Sequence, residues 1–327
     1  MKRILNHKWN EKGVSLRRFL VTLLIGYAEL TVLHHRFRRL LGFFFLGNLC
    51  NLKNLCNLWS FFILLFLLPL PCSAQCPATN TAFKAGEELN YTLYFNWKFI
   101  WIKCGSATYT TKNGTYNGQA CYRSDLLFRT NKKFDKFFTL RDTLLSYVSY
   151  DLVPLYFYKA SLEGKNHRLE EVWYSYPQGK SHAKLKYTNP SGDVFPNEVT
   201  QQECIYDMMS MMALARSFDP KDYKKGQRLH FSMTSSELVE PQTILYKGKE
   251  NFKANDGVTY RCLVFSMLDW EDRKKEKEIL RFYFSDDENH LPLRIDFNLK
   301  FGTAKAFYTD GKNLRNPVNS IVKEKKK

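Results

Sequence analysis

Asp286-Asp287-Glu288-Asn289-His290 is the densest polar run in the 327-residue chain. Clustered carboxylate oxygens of this kind can hold Ca²⁺, so Asp286, Asp287 and Glu288 are the candidate metal ligands. The run lacks the spaced Asp/Asn pattern and the Gly of a helix-loop-helix calcium site, and it lies between two segments of alternating hydrophobicity. A turn whose acids are solvated or cap backbone N–H groups is the better reading, and no metal or other cofactor is expected. His167, His182, His230 and His290 each stand alone in the chain. An imidazole titrates near neutrality and can act as a general base, yet no nucleophile or acid pattern accompanies any of them. Glu170-Glu171 beside Trp173 has the residue types of a glycosidase carboxylate next to a sugar-stacking ring. That chemistry needs two acids facing each other at a fixed separation, whereas adjacent acids on a strand point to opposite faces. No G-x-S-x-G, H-E-x-x-H, P-loop or G-x-G-x-x-G pattern occurs, so no catalytic residue is assigned.

Binding is better supported by residue type than catalysis. Trp97, Phe99 and Trp101, with Tyr94 nearby, stand on one strand-like run. Facing outward they would stack on sugars or sit at a lipid interface; facing inward they would be core or cavity lining. Met208-Met209-Ser210-Met211-Met212 places four thioethers within five residues. Unbranched, polarizable side chains of this kind line adaptable pockets or fill irregular core gaps. Trp97, Phe99, Trp101, Met208 and Met212 are therefore the candidate ligand contacts, with a lipid or a glycan as the ligand.

The elements that must position these residues are mainly β. Leu89, Tyr91, Leu93 and Phe95 alternate with polar partners, as do Leu291, Leu293, Ile295, Phe297, Leu299 and Phe301. A period of two marks strands with one buried and one wet face. Similar runs recur every ten to fifteen residues between polar turns, which predicts hairpins rather than βαβ crossovers. Such a meander must curl into a barrel or half-barrel, or pack as a sandwich. One helix is expected near 200–217. Thr200-Gln201-Gln202-Glu203 reads as its capping box, and Ile205, Met208, Met209 and Met212 as its apolar stripe. Residues 189–199, with Pro190, Gly192 and Pro196, read as a connector between two β halves.

The N-terminal region concerns delivery. Residues 58–70 are an apolar run too short for a spanning helix, which needs roughly 20 residues, but suited to a secretory signal. Cys72-Ser73-Ala74 offers small residues for cleavage after Ala74. An exported chain beginning near Gln75 is expected, in the periplasm or cell envelope, with an uncleaved N-terminal anchor as the alternative. Neither Cys72 nor Cys76 has the small preceding residues usual for lipidation. Residues 48–59 repeat Asn-Leu every three residues, a period with no use in a solenoid or coiled coil. Residues 1 to about 50 are therefore expected to lie outside the natural product, which N-terminal peptide mapping would check.

Five cysteines follow Ala74, so one thiol at least is left over. A hairpin centred on Lys112–Asn113 would set Cys104 opposite Cys121 and permit a disulfide. An Asn113-Gly114 turn would make them diagonal and leave two small buried hydrophobes. The formal net charge of +17, with a basic tail over residues 316–327, suits anionic lipid headgroups or acidic glycans. Nucleic acid is not expected to be a partner, since no recognition module is present.

Several stretches resemble the bacterial exported family called domain of unknown function 3108. They are Phe83–Tyr91, Cys104-Gly105-Ser106-Ala107, Asp142–Tyr147 leading to Val153-Pro154-Leu155, Tyr206–Ser217 with Asp219–Gly226, Ser285–Arg294, and Lys300-Phe301-Gly302. Together they cover about residues 83–309, and residues 75–315 are expected to form the β-rich domain. The resemblance implies a β-rich envelope protein without an assigned activity. The expected function is binding of an apolar or amphipathic ligand or scaffolding of envelope assembly. The alternatives are a polysaccharide-active enzyme and a structural interaction protein.

Overall fold

Alternating hydrophobicity becomes a single sheet, antiparallel throughout except for one short parallel pairing at its edge. The computed structural model describes residues 76–97, 100–254, 257–271, 275–299 and 302–322. The signal-like segment, the candidate Phe99, the side chain of Trp97 and the last five residues lie outside the described residues. The first run of strands is β1 (Glu88–Trp97), β2 (Ile100–Tyr116), β3 (Gln119–Thr130), β4 (Leu140–Val148), β5 (Pro154–Glu163), β6 (Asn166–Ser175), β7 (Ser181–Thr188) and β8 (Val194–Gln201). After β9 (Ile205–Tyr206) comes the helix α1 (Met208–Arg216). The second run is β10 (Arg228–Ser235), β11 (Leu238–Lys253), β12 (Thr259–Glu271), β13 (Lys275–Ser285), β14 (Pro292–Leu299) and β15 (Gly302–Lys312).

The spatial order is β8-β7-β6-β5-β4-β3-β2-β1-β15-β14-β13-β12-β11-β10-β9. The first and last long strands, β1 and β15, pair at the centre. The sheet curls but does not close. Its edges are held by side chains instead of a ladder: Ile205 N donates to Ser181 Oγ at 3.2 Å, and Asn197 Nδ2 donates to the Glu237 carbonyl at 2.8 Å. Of the architectures expected, this is the open, barrel-like one.

Two local expectations are corrected. Residues 194–199 of the expected 189–199 connector belong instead to the edge strand β8, where Pro196 is tolerated because an edge residue need not donate to a ladder on both sides. Thr200 lies in that strand, its Oγ1 2.7 Å from His182 Nδ1, so the Thr200–Glu203 capping box does not form. The helix starts eight residues later. Asp207 is its N-cap: the carboxylate accepts from Met209 N and Ser210 N, and Ser210 Oγ accepts from Asp207 N. This satisfies the free donors that any helix start presents.

Of the two readings open for Cys104 and Cys121, the structure has the pair of small buried side chains and no bond between them. The β2–β3 hairpin turns at Asn117-Gly118, both with positive φ (49° and 81°), as a two-residue hairpin loop requires. That register sets Cys121 opposite Gly114, while the Cys104 carbonyl accepts from Asn131 N. Both thiols are free and buried, as is Cys262. The bond that forms is Cys76–Cys204, with Cα atoms 5.5 Å apart and 128 residues between them.

Candidate functional site

Strand register decides what faces the interior. Leu93 pairs with Ala306, Ala306 with Ile295, Ile295 with Phe282, Phe282 with Phe265 and Phe265 with Tyr246, so one face runs unbroken across six strands. In the other direction Tyr91, Ala107, Phe128 and Asp142 share that face. Over it lies α1. Met209 is buried in the main core, while Met212, Ala215 and Phe218 pack on the cluster of Tyr246, Leu263, Phe265 and Phe284. Between helix and sheet remains a cavity of about 480 Å³, lined almost wholly by apolar side chains.

Of the candidate contacts, Met208 and Met212 line this cavity. Met208 is also partly open to solvent. Trp101 does not line it; the residue is 40% exposed near the β1–β2 turn, with Lys305 Nζ 4.2 Å from its ring centroid. Nothing local singles out Phe265, Phe282 and Phe284, which have ladder irregularities beside them at Met267/Leu268 and Tyr283/Phe284.

The helix is fixed over the cavity by a buried ion pair. Arg216 Nη1 and Nη2 reach Glu87 Oε2 and Oε1 at 2.5 and 2.9 Å, and both partners are sealed from solvent. The guanidinium also donates to the Asn289 carbonyl and lies over the Phe83 ring. His290 Nδ1 is 2.7 Å from the Arg216 carbonyl, which can only accept, so the proton is on Nδ1. Its ring stacks on Phe218 at 4.8 Å. Burial lowers the imidazole pKa, which favours the neutral form.

The acidic run does not converge on a point. Asp286 pairs with Lys249 and Arg261, and Glu288 is exposed. Asp287 accepts from Ser285 Oγ, Asn289 N, Ser320 N and Ser320 Oγ. These are the bonds of a capped turn. No group of three or more His, Cys, Asp or Glu is placed to hold a metal among the described residues. Glu170 binds Lys159 at 3.0 Å, while Glu171 accepts from Tyr156 and pairs with Lys186. The two acids point to opposite faces of β6.

Asp142 is an interior acid whose hydrogen bonding is incomplete. It lies on the face of Leu144, and its Oδ1 has no hydrogen-bond partner. Burial, and then the charge of Glu163, raise its pKa to about 6. The folded state therefore holds a proton that the unfolded chain, with an Asp near pH 4, has released. Stability falls as pH rises between about 4 and 6, and the deficit persists above that range. Asp142→Asn is expected to stabilise the fold at pH 7 by about 1–2 kcal/mol, after discounting for solvent screening, and to add nothing at pH 4. Urea midpoints at the two pH values test this; an equal gain at both would refute it.

Among the described residues no helix is long and apolar enough to cross a membrane. No curated protein matches the chain. Two of the solved structures similar to it show the fold's relatives. One is a β-barrel-like protein of domain of unknown function DUF1849 from Brucella abortus, with 9% identity and a TM-score of 0.45 over 71% of this chain and 98% of that one. The other, from Bacteroides fragilis, is described as exported and of YmcC-like fold, with 9% identity and a TM-score of 0.29 over 73% and 100%. The family model described as "Protein of unknown function (DUF3108)" matches residues 90–309, which contain every residue that lines the cavity except Leu89. The chain belongs to this DUF3108 family.

Proposed function

We propose that this protein is an exported binding protein that holds an apolar or amphipathic ligand between α1 and the concave face of the sheet. The observation that carries the reading is the cavity of about 480 Å³, within the roughly 300–1,000 Å³ typical of small-molecule sites. Its lining suits an acyl chain or another apolar body. Arg216, the strongest polar group nearby, is already spent on Glu87 and leaves no free charge for an ionic ligand. Four methionines in the helix let the lid adapt to ligand shape. The Cys76–Cys204 bond supports export, because disulfides persist in oxidising compartments.

Native and denaturing mass spectra of protein purified without detergent test the reading. Bound mass that leaves on denaturation is expected, and its weight identifies the ligand class. Leu229→Trp, which adds bulk to the lining, is expected to reduce that mass at least about tenfold, as one displaced apolar contact of about 1.4 kcal/mol would. Wild-type protein that carries no ligand and takes up none from a panel of lipids and glycans would sink the proposal.

A further inference from the structure

The exposed apolar side chains are not spread evenly. Nine of the twelve large ones among the described residues lie at one end of the sheet. That end carries the β1–β2, β3–β4, β5–β6, β7–β8, β10–β11 and β14–β15 connections, because successive antiparallel strands alternate in direction. The opposite end carries α1 and the Cys76–Cys204 bond. Ile100 is 66% exposed and Phe137 85% exposed; neither gains anything from the fold where it stands.

One sector of this rim combines those groups with cations. Between the β1–β2 and β5–β6 turns, Ile100, Trp101, Phe137 and Phe138 alternate with the exposed Lys103, Lys132, Lys133, Lys136 and Lys165. The acids there are already neutralised: Asp135 is paired with Arg141, and Glu163 with Arg168. The exposed Asp193 stands in another sector, by β8.

We propose that this basic sector docks the protein onto an anionic lipid bilayer. The side-chain types discriminate between partners. Lysine is depleted from protein–protein interfaces, whereas aromatic and aliphatic groups beside Lys are the composition of bilayer interfaces. The apolar groups sit on separate turns, so they enter a fluid headgroup layer without needing a complementary solid surface. Docking here stands whether or not the cavity holds a ligand.

The test uses the full chain with an environment-sensitive label at Phe137→Cys or, at the opposite end, at the exposed Tyr150→Cys. Vesicles are of phosphatidylcholine alone or mixed with phosphatidylglycerol. A blue shift at position 137 with phosphatidylglycerol, and none at position 150, is the expected result. Anchoring through the apolar run at residues 58–70 alone would leave the label at 137 unshifted. Lys132→Glu/Lys133→Glu/Lys136→Glu is expected to weaken binding on the order of a hundredfold. No shift at 137, an equal shift at 150, an equal response without phosphatidylglycerol, or unchanged binding by the triple variant would overturn the proposal.

Discussion

Glu87→Ala is expected to cost about 3–5 kcal/mol of unfolding free energy, the largest loss from any single side chain described above. Glu87 is the only carboxylate bonded to Arg216 in the described structure, and both side chains are sealed from water. Removing the acid leaves a guanidinium in the interior with only the Asn289 carbonyl and the face of Phe83. The pair itself is a different matter, since desolvation offsets much of its attraction. Glu87→Leu/Arg216→Met is therefore expected to recover most of the loss. Chemical denaturation of the three variants measures this. A single mutant losing less than about 1 kcal/mol would show that water reaches the pair and that it does not fix the helix. Because Arg216 closes α1, the same variant is expected to loosen the lid over the cavity.

Cys76→Ser is expected to lose about 2–5 kcal/mol. The bond closes a 128-residue loop, for which chain entropy alone gives about 5 kcal/mol, and residual structure in the unfolded chain lowers that figure. Wild-type protein should lose a similar amount when a reductant is added, and Cys76→Ser should be indifferent to it. Cys104→Ser and Cys121→Ser should keep the wild-type response, since those thiols are free. Burial raises the Cys104 pKa to about 11 and the Cys262 pKa to about 12, which leaves little reactive thiolate to reshuffle the bond at neutral pH. A wild-type midpoint unmoved by reductant would refute the assignment.

The strands were legible wherever one face is wet. Leu89, Tyr91 and Leu93 alternate with Asn90, Thr92 and Tyr94, and all three are buried. Strand β8 was hidden because an edge strand accepts the Pro that normally marks a connector. The helix was visible in its methionines, but its start was misplaced. Thr200 and Glu203 imitate a capping box, while the acting cap, Asp207 with Ser210, is a less familiar pair. The cavity was only half visible. Met208 and Met212 announce themselves locally, whereas Phe265 and Phe282 line it only through ladder registers that no window of sequence contains. The Cys76–Cys204 and Glu87–Arg216 pairs span 128 and 129 residues, so neither leaves a local signature.

The pairing of β1 with β15 sets a timetable for the chain. Most neighbours in the sheet are consecutive hairpins that can form as soon as both strands exist, but Glu88 must wait for Lys312. In a chain that emerges N-terminus first, β1 through β8 can zip together while the free edge of β1 stays bare. Non-local pairing of this kind is slow, and an unpaired edge is a template for other chains. Assembly thus carries its greatest exposure in the interval before β15 arrives, and a C-terminal truncation that removes β15 would make that exposure permanent.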